Sequence, residues 1–194
     1  MHPVPGARVS ELSLRLFDEY RSAVVSPEVR AANHRTLEER LASLRFYDLR
    51  RDAPTVAGVL LFGINPVYHL PGASVTFLRF AGATLAERPS DELIAAGDLQ
   101  TIVELVLQKV RAHNRAAPAP AGGFREQAAF DYPEVALREL FLNAVIHRDY
   151  QSNAPIRLYW FDDRIELLSP GGLYGIVTAA TLERRNDYRN PVLA

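Results

Sequence analysis

The sequence predicts an α/β (α+β) fold, in which helices pack on one face of a mixed, largely antiparallel sheet and a helical extension lies at the N-terminus. Three observations predict it. Apolar residues recur at helical spacing near the N-terminus, short apolar runs bounded by glycine and proline follow, and residues 132–168 combine a helix with two closely spaced strands. The 194 residues, 48% hydrophobic and 23% charged, suffice for one ordinary domain with an extension.

The composition argues against several classes of protein. A net charge of −1 argues against a broadly basic nucleic-acid-binding surface. The absence of cysteine excludes disulfides and thiolate metal sites. No apolar run approaches the roughly 18 residues that a membrane-spanning helix needs, and the N-terminus lacks the pattern of a secretory signal. The sequence therefore predicts a cytoplasmic protein without a membrane partner.

Residues 1–52 are predicted to form a helical extension. Apolar residues repeat at helical spacing over 9–23, and Ser10 is a suitable cap for that helix. Pro27 opens a second helical stretch and residues 36–44 form a third. This region shows no residues that suggest chemistry.

Residues 53–115 are predicted to form an α/β segment with two strands and a long helix. The run 55–63 is short, almost wholly apolar and ended by glycine, which favours a buried strand, and 73–80 is its predicted partner. Ser90 is expected to cap the long helix, in which Gly97 is a weak point. The alanine-, proline- and glycine-rich stretch 114–123 then reads as a loop and a domain boundary.

The last predicted unit, 124–194, begins with an unusually apolar helix over about 132–147. Asp131 and Glu134 have the spacing of a capping box at its start. A helix that is apolar almost all round is expected to be mostly buried, so its polar residues are expected to line a polar cavity; the alternative is a solvent-facing edge. Three polar residues share one narrow stripe of this helix because they are four residues apart: Glu139, Asn143 and His147.

Two strands and a glycine-rich loop follow this helix. The strands, 154–161 and 164–168, are joined by Asp162-Asp163, which suits a tight hairpin turn. The second strand leads into Ser-Pro-Gly-Gly-Leu-Tyr-Gly at 169–175. Glycines in such a loop allow the backbone to approach a ligand and to present its amides.

A helix with Glu-x-x-x-Asn, a hairpin and then a glycine loop resembles the Bergerat (GHKL) ATP-binding site of gyrase, histidine kinases and their relatives. More closely, residues 136–150 and 161–173 resemble the divergent ATPase domain of bacterial proteins labelled RecG-like or transcriptional regulators. The stretches 54–63 and 189–194 are also similar to that family.

The resemblance implies roles for individual residues. Asn143 would hold Mg²⁺ that bridges the nucleotide phosphates, since an amide oxygen is a suitable hard ligand. Glu139 would orient and deprotonate the attacking water, which makes it the candidate catalytic residue. The other implied nucleotide contacts are His147 and Arg148 near the phosphates and Gly171, Gly172 and Gly175 in the first glycine box.

The chain departs from the usual pattern in two places. Ser169-Pro170 stands where the first glycine box usually begins with an aspartate that binds adenine. The second glycine box is not found before Ala194, so 124–194 is expected to be the N-terminal half of a truncated ATP-binding domain. Members of the family often continue into a winged helix and follow a DNA-binding domain of the Schlafen or AlbA-like type.

Three functions compete at this stage. The first is an ATP- and Mg²⁺-binding, nucleotide-responsive module of a bacterial transcriptional regulator, which forms homo-oligomers and contacts DNA through domains outside this chain; whether it is a weak ATPase stays open. The second is a non-catalytic dimerisation or interaction domain with a degenerate nucleotide site. The third and weakest is a metal-dependent hydrolase that uses Glu139, His147 and Asp149.

Overall fold

A computed structural model describes residues 2–118, 128–172, 174–175 and 187–194. The helices in this part of the chain are α1 (Leu14–Val24), α2 (Pro27–Ala31), α3 (Leu37–Ser43), α4 (Val56–Phe62), α5 (Pro66–His69), α6 (Leu99–His113) and α7 (Glu134–His147). The strands are β1 (Tyr47–Asp48), β2 (Ala53–Pro54), β3 (Ser74–Arg79), β4 (Asp91–Ala96), β5 (Ala116–Pro118), β6 (Ala128–Phe130), β7 (Ile156–Trp160) and β8 (Ile165–Leu168). No helix in these ranges is long and apolar enough to cross a membrane.

A four-stranded sheet forms the centre of the fold. Its strand order is β4-β3-β7-β8, in which β3 and β7 run parallel and the two outer pairs run antiparallel. Two-stranded antiparallel ribbons, β1-β2 and β5-β6, lie outside it. The predicted mixed, largely antiparallel sheet with helices packed against it is confirmed.

The main core lies between this sheet and the helices α6 and α7. Alternate residues of a strand face the same side of a sheet, so Val75, Phe77, Ile156, Leu158 and Trp160 project together. Both helices contribute to the same cluster. Their buried residues are Ile102, Val106 and Val110 on α6, and Leu137, Phe141, Ala144 and Val145 on α7.

A second core joins the N-terminal helices to α4. Phe17 and Phe46 pack edge to face against Phe62 with ring centroids 5.4 and 4.9 Å apart. Val192 and Leu193, close to the end of the described chain, pack against the same cluster. The last described residues of the chain therefore pack against the cluster formed by the N-terminal helices and α4.

The predicted buried strand at 55–63 is wrong, because these residues form the helix α4. The Thr55 hydroxyl accepts a hydrogen bond from the Gly58 amide at 3.2 Å and so caps the helix. Most of α4 is buried on all sides, which removes the polar face that identifies a helix in a sequence. The strand predicted at 73–80 is confirmed as β3.

The predicted long helix from Ser90 is also wrong in its first half. Residues 91–96 form β4, which pairs with β3 over its whole length. Gly97 has φ +131°, a conformation that favours glycine, and Asp98 then caps α6 by accepting from the Thr101 amide at 3.0 Å. The weak point at Gly97 is thus the junction between a strand and a shorter helix.

Two predicted caps do not form. The first α-helix begins at Leu14 and is capped by Ser13 rather than Ser10, which lies in a 3-10 helix at Val9–Glu11. The capping box of Asp131 and Glu134 does not form: α7 has no side-chain cap at its start, and Glu134 pairs with an arginine of α6. The helices predicted from Pro27 and over 36–44 are confirmed as α2 and α3.

The loop predicted at 114–123 is partly strand. Residues 116–118 form β5, which pairs with β6. The rest of that stretch, 119–123, lies outside the described residues.

A charged cluster ties the start of β4 to the end of α6. The Asp91 carboxylate accepts from the Lys109 ammonium at 2.6 and 2.8 Å, and the His113 ring nitrogen Nε2 lies 2.7 Å from it. The hydrogen bonds from Lys109, followed by the contact with His113, lower the pKa of Asp91 below its ordinary value. The cluster is half-buried and joins two elements of the main core.

Asp91→Asn is expected to lower the free energy of unfolding by about 1 kcal/mol at neutral pH, because the ion pair with Lys109 is lost and the contact with His113 is weakened. Since the folded pKa lies below the unfolded one, this contribution is present above the unfolded pKa and is lost as pH falls through the folded pKa. Urea unfolding of both proteins should therefore show a difference that shrinks as the pH falls below the ordinary pKa of aspartate, about 3.9. Glu92→Gln, an exposed neighbour, is the control. A pH-independent difference would contradict the prediction.

Candidate functional site

The helix α7 is buried on one face and exposed on the other, so the expectation of a mostly buried helix is wrong. Glu139, Asn143 and His147 all lie on the exposed side. Among the described residues, neither Glu139 nor Asn143 has a hydrogen-bond or ion-pair partner. Successive members are about 6 Å apart along the helix axis, because each is four residues from the next. The stripe is an accessible row of polar groups.

Apolar side chains flank this stripe on the same exposed side of α7. Val135 is 74% exposed and Leu140 is 48% exposed. Ala136 is exposed as well. Apolar groups gathered at the surface around polar ones are typical of a surface that contacts a ligand or another chain.

The glycine loop after β8 is attached to the C-terminal end of α7. The Ser169 hydroxyl donates to the Ala144 carbonyl at 2.9 Å, and the Asp149 amide donates to the Pro170 carbonyl at 2.8 Å. Gly171 has φ +121°, and a Cβ atom there would lie 3.2 Å from the Asp149 nitrogen. Glycine is therefore required for both its conformation and its close approach to the helix end.

The other two glycines of the loop differ in their surroundings. Gly172 is exposed, and an added Cβ atom would meet no atom within 4 Å. Gly175 has φ +62° and lies against the Asp187 carboxylate. The loop thus offers exposed backbone at Gly172, while Gly171 and Gly175 are held by their neighbours.

Arg148, directly after α7, is buried and points away from the exposed stripe. Its side chain is 1% exposed, and its Nη2 donates to the carbonyls of Ser152 at 2.9 Å and Ala154 at 2.5 Å. Its guanidinium carbon lies 4.8 Å from the centre of the Tyr150 ring. Burial lowers the pKa of Arg148 and raises that of Tyr150. Arg148 therefore holds the turn that follows α7.

Residues 188–190 complete this end of the helix. The Asn190 amide donates to the carbonyls of Ile146 and Arg148, both at 2.8 Å, and so satisfies the open end of α7. The Tyr188 ring stacks on His147 with centroids 5.4 Å apart. The Arg189 guanidinium pairs with the Asp149 carboxylate at 3.2 Å.

Sequence reasoning did not assign these three residues a role. The signal that could have found them was the similarity of 189–194 to the ATPase-domain family. That similarity gave no indication that the segment contacts α7, since more than 40 residues separate the two in the chain.

The structure brings some of the predicted site residues together and leaves others apart. The end of α7 at His147 meets the glycine loop, because the His147 carbonyl lies 3.7 Å from the Cβ position of Gly171. Asn143 and Glu139 lie about one and two turns further back along the helix. Within the described residues, no group of three histidine, aspartate or glutamate side chains could hold a metal ion, and Glu139, His147 and Asp149 do not form such a group.

One part of the chain matches the model of a known protein family. Residues 153–194 match the family model described as "Putative ATP-dependent DNA helicase recG C-terminal". That stretch contains β7, β8, the glycine loop and residues 188–190, and it begins after α7. This part of the chain is ATPase-like in sequence. No curated protein matches the chain.

The fold of this chain is also found in a solved structure. The DIP2311 protein from Corynebacterium diphtheriae has a TM-score of 0.71 and 21% sequence identity to this chain. The match covers 100% of this chain and 37% of that one, so this chain spans about a third of that protein's length. At this identity the likeness concerns the fold alone.

Proposed function

We propose that this chain is an ATP-binding module, whose nucleotide lies along the exposed side of α7 and against the glycine loop. The observation that carries the proposal is the position of the stripe. Accessible polar side chains run along α7 and end where the glycine loop is attached, and two of them, Glu139 and Asn143, have no hydrogen-bond or ion-pair partner among the described residues. The loop belongs to the ATPase-like stretch 153–194.

The residues on the exposed side of α7 fit Mg²⁺ and phosphates. The Asn143 amide oxygen is accessible and, among the described residues, accepts no hydrogen bond, so it is free to act as a hard metal ligand. Bound Mg²⁺ would neutralise phosphate charge. The Glu139 carboxylate, one turn away, is equally accessible and suits the orientation of a water molecule. Binding is the primary proposal, and hydrolysis assigned to Glu139 is a second step.

The end of the helix supplies the remaining contacts in this proposal. His147 offers its ring beside the loop, and Gly172 offers exposed backbone to which a ligand can approach without steric hindrance. Gly171 and Gly175 give the loop its shape through their positive φ angles. Arg148 acts as a positioning residue, because its guanidinium donates to backbone carbonyls.

Asn143→Ala is expected to weaken binding of a fluorescent ATP analogue with Mg²⁺ by roughly tenfold or more, as for the loss of about 1.4 kcal/mol of binding free energy. Fluorescence titration measures this directly. Arg138→Ala is the matched control, since Arg138 is exposed on the same helix and, within the described residues, has no partner. The control should bind like the wild type.

Two outcomes would contradict the proposal. Absence of saturable binding by the folded wild-type chain at millimolar nucleotide would leave a dimerisation or interaction domain as the better description. Equal binding by the wild type and Asn143→Ala would place any nucleotide elsewhere on the molecule.

The proposal extends to a bacterial transcriptional regulator in which ATP changes the state of the module. The similarity of residues 136–150 and 161–173 to the ATPase domain of such proteins supports this extension. The regulator would be cytoplasmic and homo-oligomeric and would contact DNA through other domains. Light scattering with and without nucleotide measures the oligomeric state. A change in that state when ATP is added would support regulation, because a ligand regulates by shifting the equilibrium between two states.

A further inference from the structure

The candidate nucleotide site needs a cationic side chain, and Arg148 cannot serve as that side chain. Its guanidinium is enclosed beneath the turn at 152–154 and donates to two backbone carbonyls. A phosphate group on the exposed side of α7 could not reach it without breaking both hydrogen bonds. A triphosphate carries more negative charge than one Mg²⁺ ion neutralises, so a cationic side chain beside the glycine loop would stabilise it further.

Arg189 lies at that place. Its Nη1 is 3.2 Å from the Asp149 carboxylate, and its Nη2 donates to the Gly172 carbonyl at 3.4 Å. Its guanidinium carbon lies 4.8 Å from the centre of the Tyr174 ring. The side chain is 23% exposed and touches the exposed glycine of the loop, whereas Arg148 is enclosed.

The hydrogen bonds of Arg189 are weak and incomplete. Both distances lie at or beyond the long end of the usual range for a nitrogen donor. Its Nε is buried and has no hydrogen-bond partner within the described part of the chain. A guanidinium carries five N–H donors and binds a phosphate through two parallel hydrogen bonds, so Arg189 has the capacity to take a further anionic partner.

The neighbours of Arg189 fix its position relative to the stripe. Asn190 is anchored to the end of α7 by two hydrogen bonds of 2.8 Å. Tyr188 stacks on His147, the last member of the stripe. Arg189 therefore sits between two residues that are attached to α7, close to the end of the stripe nearest the glycine loop.

We infer that Arg189 is the phosphate-binding cation of this site, and that a nucleotide phosphate displaces the Asp149 carboxylate from it. This inference rests on the proposed function. The Asp149 carboxylate pairs with the Arg189 guanidinium when no nucleotide is bound. Its negative charge repels the phosphates and competes with them for Arg189. Arg189 thus contributes to affinity for the phosphate chain and contributes nothing to recognition of the base.

The test compares three probes with Mg²⁺: fluorescent ATP, adenosine as a competitor and inorganic tripolyphosphate as a competitor. Arg189→Gln is expected to weaken binding of ATP and of tripolyphosphate by roughly tenfold, the loss expected for a charged hydrogen bond, and to leave adenosine competition within about twofold. Arg138→Gln, which removes an exposed arginine of α7, should change none of the three. Urea unfolding verifies that each variant is folded.

A second variant tests the exchange in the opposite direction. Asp149→Asn keeps an oxygen for the Gln151 amide, which donates to Asp149 at 2.9 Å, and removes the charge that competes with phosphate. It should tighten tripolyphosphate binding several-fold. Tripolyphosphate binding that Asp149→Asn leaves unchanged or weakens would overturn the exchange.

The remaining outcomes separate this inference from the proposed function. If the wild type binds ATP and Arg189→Gln binds it equally well, or loses ATP and adenosine alike, Arg189 is not a phosphate ligand and the proposed function stands. If the wild type binds neither ATP nor tripolyphosphate, both fail together.

Discussion

Replacing Arg148 with alanine is expected to lower the free energy of unfolding by about 3 kcal/mol, because two backbone carbonyl groups lose the buried guanidinium that donates to them. The carbonyls of Ser152 and Ala154 accept from the same Nη2 atom. Removal of the side chain also leaves a void beside Gly72, whose backbone lies directly against the guanidinium. Relief of the cost of burying a cation offsets part of this loss. Urea unfolding measures the difference.

Arg148→Lys separates the two contributions. An ammonium group on a flexible chain can still donate to one of the carbonyls, so this variant should recover part of the loss. Arg138→Ala, an exposed arginine on α7, should change the free energy of unfolding by no more than about 0.5 kcal/mol. A loss below about 1 kcal/mol for Arg148→Ala would show that the turn at 152–154 is held by other contacts.

Gly58→Ala is expected to lower the free energy of unfolding by about 2 to 3 kcal/mol, although alanine favours a helix over glycine by about 1 kcal/mol. The reason is contact with the backbone of Phe46. An added Cβ atom would overlap its carbonyl oxygen and lie 3.1 Å from its carbonyl carbon. That oxygen already accepts from the Thr55 amide at 2.9 Å, so it cannot move without weakening this bond.

Gly172→Ala is the matched control for the helix substitution. A Cβ atom there meets no atom within 4 Å, so the free energy of unfolding should change by less than about 0.5 kcal/mol. If Gly58→Ala were neutral or stabilising in urea unfolding, the close approach of α4 to the loop at Phe46 would be incorrect. The comparison between the two glycines isolates the effect of the neighbouring backbone.

Local signals predicted several elements well because those signals act within a few residues. The hairpin around Asp162-Asp163, the strand β3 and the helices α2 and α3 each have turn or capping residues next to them. The apolar content of the sequence predicted the helix α7, but the side-chain cap predicted at its start is absent from the structure. A residue that could cap a helix can instead form an ion pair with another element, as Glu134 does with Arg111 of α6.

The errors in β4 and α4 share a physical cause. Residues 91–96 have helical as well as strand-like patterns, and pairing with β3 over six residues decides in favour of the strand. The apolar run at 55–63 carries no periodicity that separates a buried helix from a buried strand. In both cases the deciding interactions come from residues distant in the chain.

The polar stripe follows from the sequence alone, since helical spacing places Glu139, Asn143 and His147 on one side of α7. The glycines of the loop are also visible in the sequence, and the structure shows the positive φ angles at Gly171 and Gly175 that favour glycine. The tertiary structure decided which arginine is accessible. Arg148 is next to the stripe in sequence but is enclosed by the turn at 152–154, whereas Arg189 reaches the loop through contacts of its segment with α7. Burial depends on long-range packing, so the position of an arginine in the sequence does not reveal whether its guanidinium is accessible to a ligand.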